Sequence, residues 1–541
     1  MRIRREESRL LAVWVIGLLV VGGCEPTAGG AGRIERSDPA TAAVVGAGKP
    51  QYGGHLRIGY ATEPTSLDAA LGRSGGDAYY WRQIYDQLVD ADPDLGPRPS
   101  TSLATSWEIA TDPDAITFHL REGVTFHDGT PFNADAVKFN VERILDARTT
   151  ATPRASMTVI ESVDVLGEYR VRFNLKRPWG AGLSMLADRG GAMNSPTAVT
   201  ALGADYGWNP SGTGPFRVDK VITGTLVHMV RNENYWGIDE NGNRLPYLDE
   251  VTIRVIRDET VRSSALRTGE IDIAYLPYKD VSRFQRDERF QIETMLGGNV
   301  ALVLVFDLAK PPMDDLNLRL AIAHAIDPVV INKAIFFNQV IVADAGMWPV
   351  GAWVHDPSVQ RPHYDPDKAR AYLRKGGRPD GFELTAVTQN SPVLVPTAEV
   401  VRAMLKKVGI TMNIDVLANG PATERFFHGR EYAMYITGWS RYPEPDWLAS
   451  LAYKSDGYYN AGNLERPEID RLVEKGASLY DVDARRKVYN EINETVLGEA
   501  WFVPLLYGVN YAAAPHKVRN LDRLMGWDGK MALREIWIDA E

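Results

Sequence analysis

The sequence predicts an α/β fold with more than one domain, and two observations carry this prediction. Some segments alternate apolar and polar residues, as half-buried strands do. Along the chain these segments alternate with segments of helical periodicity. In addition, a predicted helix over 396–408 is followed almost at once by a predicted strand over 411–416, which indicates parallel strands joined by helical crossovers. With 541 residues the chain exceeds what one hydrophobic core usually supports, so we expect two or three domains.

The folded part of the chain is predicted to open with a strand, a helix and a hairpin. Apolar and polar residues alternate over His55–Tyr60, which is typical of a half-buried strand. Apolar residues recur at helical spacing over 78–89, so we predict a helix there. Strands over 107–109 and 116–120 are predicted to pair across a turn at Pro113.

Residues that favour the start or the end of a helix flank three further segments. We predict helices over 134–145, 259–267 and 316–326. Asn133 is well placed as the N-cap of the first, because its side chain can accept from backbone N–H groups that lack a partner in the helix. Gly269 is a suitable C-cap for the second, since glycine tolerates a left-handed backbone. Pro328 blocks continuation of the third.

The remaining elements follow from the same patterns. Strands are predicted over 225–230, 251–255, 271–274, 300–306, 382–387 and 501–506. Helices are predicted over 467–479 and 484–499.

Composition and charge indicate a folded globular protein and argue against one class of function. The chain is 45% hydrophobic and 24% charged, as folded globular proteins are. Its 60 basic and 70 acidic residues give a net charge of −10, which argues against binding of nucleic acid, since that requires a basic surface.

Cys24 is the only cysteine, and it follows a segment that is typical of an exported protein. A basic start precedes an apolar run over 10–21, which is too short to span a bilayer but fits a signal peptide. Small residues before Cys24 resemble the lipobox of bacterial lipoproteins, and the alternatives are an ordinary signal peptide with a chance cysteine or a short uncleaved anchor. We expect cleavage before Cys24 and its lipidation, which excludes cysteine-based catalysis and metal binding. Residues 25–50 have the composition of a flexible tether.

Several strings, in this order, resemble the signature of bacterial extracellular solute-binding proteins of family 5, the receptors of peptide/nickel-type ABC importers. They are residues 103–108 (LATSWE), 117–131 (TFHLREGVTFHDGTP), 212–216 (GTGPF), 231–236 (RNENYW), 269–272 (GEID), 311–315 (PPMDD) and 319–327 (RLAIAHAID). For 212–216 we expect a structural role, in which the glycines let two backbones approach closely.

The resemblance implies a periplasmic-binding-protein-like fold (type II, cluster C). Two lobes joined by a hinge would close on a solute, a third domain would extend one lobe, and the closed form would dock on an ABC permease. The implied divisions are a signal peptide (1–23), a lipidated tether (24–51), a discontinuous lobe 1 (52–92, 205–299 and 505–541), an extra domain (93–204) and lobe 2 (300–504). The expected protein is a monomer outside the cytoplasm, anchored to the membrane through Cys24.

The resemblance also implies where the solute binds. Trp439 matches a pocket tryptophan of the peptide receptors, in which an aspartate three residues later pairs with the peptide's α-ammonium. Here that position is Tyr442, or Arg441 if one residue is deleted, and an arginine attracts carboxylates rather than ammonium groups. Glu444 or Asp446 could substitute for that aspartate, although neither has the expected spacing. The alternative for this string is core packing and a helix start.

Loops after predicted strands supply further candidates, each with a structural alternative. The complete set of predicted ligand-binding residues is Trp439, Arg441, Tyr442, Glu63, Gln389, Asn390, Trp348 and Tyr459. They support a receptor for an oligopeptide or another polar solute, with an oligosaccharide or an opine-type compound as alternatives.

Two other classes of function remain open at this stage, a secreted hydrolase and a sensory or chaperone lipoprotein. The sequence carries none of the His-Glu-x-x-His, Gly-x-Ser-x-Gly or Walker-type motifs, so we predict no enzymatic activity. The nine histidines are scattered along the chain, and we predict no metal or cofactor.

Overall fold

The computed structural model describes residues 49–91, 98–440, 444–526 and 529–539. The predicted signal peptide, Cys24 and the tether up to residue 48 lie outside the described residues, as do Arg441 and Tyr442. Residues Pro50–Glu541 form one compact unit. Among the described helices, none combines the length and the apolar content needed to cross a bilayer.

The strands are β1 (His55–Tyr60), β2 (Ala104–Thr111), β3 (Asp114–Leu120), β4 (Ile160–Gly167), β5 (Arg170–Leu175), β6 (Phe216–Ile222), β7 (Leu226–Arg231), β8 (Glu250–Val255), β9 (Ile273–Tyr275), β10 (Phe290–Phe306), β11 (Ile341–Val342), β12 (Glu383–Gln389), β13 (Thr411–Leu417), β14 (Met434–Ser440), β15 (Phe502–Pro515), β16 (Val518–Arg519) and β17 (Trp537–Ile538).

The α-helices are α1 (Ala78–Trp81), α2 (Ala134–Leu145), α3 (Arg154–Met157), α4 (Gly182–Leu186), α5 (Pro196–Leu202), α6 (Glu259–Thr268), α7 (Tyr278–Gln285), α8 (Leu316–Ala325), α9 (Pro328–Ile335), α10 (Pro366–Lys375), α11 (Leu394–Lys406), α12 (Asn419–Phe427), α13 (Pro445–Leu448), α14 (Pro467–Ser478) and α15 (Val482–Gly498).

Two long antiparallel strands, β10 and β15, join the two halves of the main sheet. Its order is β13-β12-β14-β10-β15-β9-β1-β8-β7-β6, with β11 paired to β15. The pairing of β10 with β15 shifts register between Leu296 and Val303. Such irregularities locally bend a strand and increase its twist.

A separate antiparallel sheet has the order β2-β3-β5-β4. The predicted hairpin is confirmed, with Thr111 opposite Asp114 at its turn. Helix α2 packs against this sheet, and Asn133 caps it as predicted, because its side chain accepts from the Ala136 N–H at 3.0 Å.

Buried apolar side chains form three large clusters. One is drawn entirely from residues 301–507 and one from residues 70–193. The third combines separated segments between residues 56 and 536. The residue ranges of these clusters are similar to those of the predicted lobe 2, extra domain and lobe 1. The division into domains itself stays a prediction.

The predicted helix over 78–89 is wrong beyond its first turn. Helix α1 ends at Trp81, although the apolar residues that suggested a longer helix are all buried. The backbone that follows pairs with distant segments instead: the Ile84 carbonyl accepts from Gly214, and the Leu88 N–H donates to Gly191. Tertiary hydrogen bonds therefore replace the helical ones.

The ends of the other helices agree closely with the sequence. Gly269 follows α6 in the left-handed conformation with φ of 78°. Helix α8 stops at Ala325, and Pro328 is the first residue of α9, where its missing N–H costs nothing. Pro396 lies inside the first turn of α11 rather than at its start.

The glycines of 212–216 allow a close crossing of two backbones, as predicted. A Cβ on Gly212 would lie 2.2 Å from the Ile84 carbonyl oxygen, and one on Gly214 would lie 2.5 Å from the Ile84 carbonyl carbon. The Gly214 N–H donates to that same oxygen at 2.9 Å.

Candidate ligand-binding site

Three parallel strands end together at one edge of the main sheet. Strand β12 pairs in parallel with both β13 and β14, so their carboxyl ends share that edge. In α/β sheets, ligands bind in the crevice outside such strand ends. Gln389 ends β12, and Trp439 lies near the end of β14.

A cavity of about 450 Å³ opens at this edge, a size suited to a small molecule. It is lined by Tyr278, Ala301, Phe336, Gln389, Ser391, Val393, Leu394, Asn419, Thr423, Phe427, Tyr435, Thr437, Gly438, Trp439 and Tyr459. Three of the predicted residues, Gln389, Trp439 and Tyr459, therefore meet in one cavity. Whether they contact a ligand stays a prediction.

Aromatic rings form one wall of this cavity around the half-buried Trp439. Its indole meets Tyr459 edge to face with 5.1 Å between ring centroids, and Phe502 with 5.5 Å. Phe427 lies 5.0 Å from Tyr459 and 6.3 Å from Trp439. These edge contacts hold the indole in place, so a flat or apolar group would meet a surface that is already ordered.

Polar atoms of the cavity are organised around the side-chain amide of Gln389. Its Nε2 donates to the Tyr435 hydroxyl at 2.8 Å and to Thr437 Oγ1 at 2.9 Å. The Tyr435 hydroxyl is also 3.3 Å from Thr423 Oγ1. Because both amide hydrogens are used within the protein, the Gln389 carbonyl oxygen remains as an acceptor.

Three helices begin at the cavity. Tyr278, Leu394 and Asn419 are the first residues of α7, α11 and α12. In the described chain no side chain caps α7 or α12, so their first N–H groups are available as donors. Helix N-termini carry a partial positive charge that favours negative groups.

The described lining contains no charged side chain. Burial raises the pKa of Tyr278 to about 12 and also raises that of Tyr459, so both phenols stay neutral. Asp280 lies in the first turn of α7 and offsets part of its positive potential, whereas the first turn of α12 contains no acidic residue.

Two carboxylates close to the predicted ligand loop are committed to other partners. Glu444 is buried, pairs with Arg485, and accepts from the Asp446 N–H at 3.1 Å. Asp446 lies 3.3 Å from the hydroxyls of both Ser450 and Tyr489, and burial, then Glu444, raises its pKa to about 6. Neither carboxylate lines the cavity.

The other predicted site residues lie elsewhere. Glu63 pairs with Arg257 at 2.9 Å. Asn390 is exposed, and its backbone N–H donates to the Leu417 carbonyl. Trp348 is buried in the core beside Tyr489 rather than in the cavity.

Sequence reasoning missed most of the cavity wall. Alternation along β14 does contain a signal, because Tyr435 and Thr437 must share a face with Trp439. Phe427 and Tyr278 carry no such signal. They reach the cavity only through the packing of α12 and α7.

Comparison with known proteins identifies the family. Residues 98–460 match the family model described as bacterial extracellular solute-binding proteins, family 5 Middle. The glutathione-binding protein GsiB of Shigella flexneri serotype 5b is 27% identical over 437 residues, which cover 79% of this chain and 83% of GsiB. GsiB of Escherichia coli strain K12 is also 27% identical over 437 residues, which cover 79% of this chain and 83% of GsiB.

Solved structures share the fold. The periplasmic binding protein DppA from Helicobacter pylori, in complex with the peptide STSA, superposes with a TM-score of 0.77 at 26% identity, over 91% of this chain and 99% of DppA. AgaA from A. tumefaciens R10, in complex with agropinic acid, superposes with a TM-score of 0.76 at 24% identity, over 90% of this chain and 99% of AgaA. The predicted fold class is confirmed as that of type II periplasmic binding proteins.

Proposed function

The chain belongs to family 5 of the bacterial extracellular solute-binding proteins, which bind peptides or related solutes for ABC importers, and we propose that its own ligand is a small polar solute with a free carboxylate. The relatives are receptors and not enzymes, so the bound solute is delivered to a permease rather than converted.

One observation carries the proposal for a carboxylate: α7 and α12 begin, without a side-chain cap, at a cavity whose described lining is uncharged. Backbone N–H groups at these ends can donate to a carboxylate and favour its charge. A free ammonium group, in contrast, finds no carboxylate among the described lining residues. Glu444 and Asp446, the two nearby in sequence, are bound to other groups.

The aromatic wall and the Gln389 carbonyl oxygen suit the rest of such a solute. Rings of Trp439, Tyr459 and Phe427 offer contact area to an apolar side chain or to the flat face of a sugar ring. The Gln389 oxygen accepts from a peptide N–H or a hydroxyl. A short peptide and an opine-type conjugate of an amino acid with a sugar both combine these groups, and an oligosaccharide lacks only the carboxylate.

Closure of two lobes about β10 and β15 would complete the site. Tyr278 of α7 packs against the apolar clusters of both halves, whereas Trp439 and Gln389 lie on β14 and β12. A solute in contact with both halves stabilises the closed state by the contacts that it makes only there.

Binding measurements with chemically blocked ligands test this proposal. Native mass spectrometry of the purified chain first identifies any solute that it retains. Calorimetry then compares glutathione and other tripeptides with their C-terminal amides and N-acetyl derivatives. We expect amidation to weaken binding at least about tenfold, equal to about 1.4 kcal/mol, and acetylation to have a smaller effect. A larger loss on acetylation would contradict the proposal.

The location of the protein rests on Cys24, which lies outside the described residues. We infer that the chain is exported and anchored through a lipid on this residue, in agreement with its periplasmic relatives. Cys24→Ser in the full chain should abolish lipid labelling of the protein. Unchanged labelling would place the anchor elsewhere, while the ligand proposal would be unaffected.

A further inference from the structure

Four adjacent strands of the main sheet bring two histidines and two carboxylates together, away from the cavity at β12–β14. His55 on β1 lies directly opposite Glu250 on β8. His228 on β7 lies directly opposite Thr252 on β8, and residues two apart on a strand share a face. Asp219 of β6 joins them because the pairing of β6 with β7 shifts register at this residue.

The ligand atoms of His55, His228 and Glu250 lie close to one another, and Asp219 lies beside His228. His55 Nδ1 is 3.5 Å from Glu250 Oε2, and His228 Nε2 is 3.9 Å from the same oxygen. Asp219 Oδ2 is 3.8 Å from His228 Nε2. One ligand atom from each of His55, His228 and Glu250 lies within 4.8 Å of the others. Ligand atoms around a tetrahedral zinc ion are about 3.3–3.5 Å apart, so small side-chain rotations would complete the geometry.

The hydroxyl of Thr252 contacts both imidazoles at the ring nitrogens that lie away from Glu250. Its Oγ1 is 2.7 Å from His55 Nε2 and 3.0 Å from His228 Nδ1. An oxygen with two lone pairs can accept from both of these N–H groups. In the tautomers in which both N–H groups donate to this oxygen, the opposite nitrogens, His55 Nδ1 and His228 Nε2, carry lone pairs, and these are the two atoms that face Glu250. Histidines that bind metals are usually held in this way by a hydrogen bond to the other ring nitrogen.

Two lone pairs that face a carboxylate repel it unless a cation or a proton lies between them. Arg57 does not neutralise Glu250, because its guanidinium binds Asp272 at 2.9 and 3.0 Å. In the described chain, the ionic partners of Glu250 are the two histidines.

We propose that His55, His228 and Glu250 bind a divalent transition-metal ion such as Zn²⁺, with Asp219 as the fourth ligand and Thr252 orienting both histidines. Imidazole nitrogens with carboxylate oxygens are a donor set that suits zinc and its neighbours, whereas magnesium prefers oxygen atoms alone. The ion would tie together β1, β8, β7 and β6.

Titration of the full chain with ZnCl₂ tests the site. The protein is purified in detergent without a polyhistidine tag and freed of metal with a chelator. We expect one equivalent of Zn²⁺ to bind with Kd below about 10 µM at pH 7.5 and to raise the thermal unfolding midpoint, whereas MgCl₂ should not. Co²⁺ should give the visible absorption of a tetrahedral complex. Failure of the wild-type chain to bind Zn²⁺ at 100-fold this concentration would overturn the proposal.

Variants locate the ion. His55→Ala and His228→Ala should each weaken Zn²⁺ binding more than tenfold, and Thr252→Val, which retains the β-branched shape, should weaken it about tenfold. His119→Ala is the matched control, because His119 is also a strand histidine beside a single carboxylate, Glu108. Equal affinity of the His55→Ala and wild-type chains, or an equal loss in His119→Ala, would refute the site. Because His55 is exposed, its variant remains informative even if His228→Ala does not fold.

Discussion

Glu444 and Arg485 form an ion pair whose side chains are only 3% and 5% exposed. The pair ties the N-cap of α13 to α15. Arg485 also donates to the Gly476 carbonyl, and Glu444 accepts from the backbone at the start of α13. A carboxylate held in this way fixes the start of α13 and is not free to bind an ammonium group.

Glu444→Gln should destabilise the fold strongly, because it leaves the Arg485 charge buried without its partner. Loss of one member of a buried pair costs about 3–5 kcal/mol of unfolding free energy. Asp367→Asn is the control: Asp367 pairs with Arg370 at 3.0 Å but is 93% exposed, so its loss should cost less than about 0.5 kcal/mol. Urea unfolding of both variants measures the difference, and similar losses would contradict the importance of burial.

Trp439→Ala should weaken solute binding about 30-fold, a loss of about 2 kcal/mol, since a buried aromatic contact is commonly a dominant one. The thermal midpoint should fall only modestly, because the indole is half-buried at the cavity. Calorimetry with the tightest ligand measures the effect. Trp208→Ala is the matched control, since Trp208 is 37% exposed and does not line the cavity. Unchanged affinity in Trp439→Ala would move the site elsewhere.

Gln389→Glu should weaken the binding of ligands with a free carboxylate more than the binding of their amides. The substitution keeps the shape of the side chain but adds a negative charge to the described lining, which is otherwise uncharged. We expect affinity for a free carboxylate to fall more than tenfold and affinity for the C-terminal amide to fall less. Gln389→Met, without charge, is the control for the lost hydrogen bonds to Tyr435 and Thr437. Equal losses for both ligands would argue against a carboxylate near Gln389.

Much of the main sheet and part of the cavity could be predicted from the sequence. Gln389 was accessible because it follows a predicted strand, and Trp439 because it matches a pocket tryptophan of the family that the sequence resembles. The His55, His228 and Glu250 cluster was not, because these residues are far apart in sequence and meet only through the strand order β1-β8-β7. The predicted helix over 78–89 failed for the same reason, since Ile84 and Leu88 bond to strands and loops that local propensity does not reveal.

Asp446 should make the stability of the protein depend on pH. Burial, and secondarily Glu444, raises its pKa to about 6, from about 4 in the unfolded chain. The folded chain then holds the proton more tightly, so this residue's contribution to stability is present below about pH 4 and is lost as the pH rises to about 6. Asp446→Asn should therefore gain about 1–3 kcal/mol over the wild-type chain at pH 7.5 and less at pH 4.5. Urea unfolding at both pH values tests this, and a gain that does not change with pH would be contrary to it.

Gly214→Ala should be among the most damaging small substitutions in the chain. The new Cβ would lie 2.5 Å from the Ile84 carbonyl carbon and 2.7 Å from the Tyr85 nitrogen, so two backbones would have to separate. Separation would also weaken the hydrogen bond from the Gly214 N–H to the Ile84 carbonyl. We expect a loss of more than about 2 kcal/mol, within the range for overpacked sites. Gly167→Ala is the control, because nothing lies within 4 Å of its Cβ position, and it should be nearly neutral. Equal unfolding midpoints for the two variants would mean that the crossing at Ile84 is looser than these distances indicate.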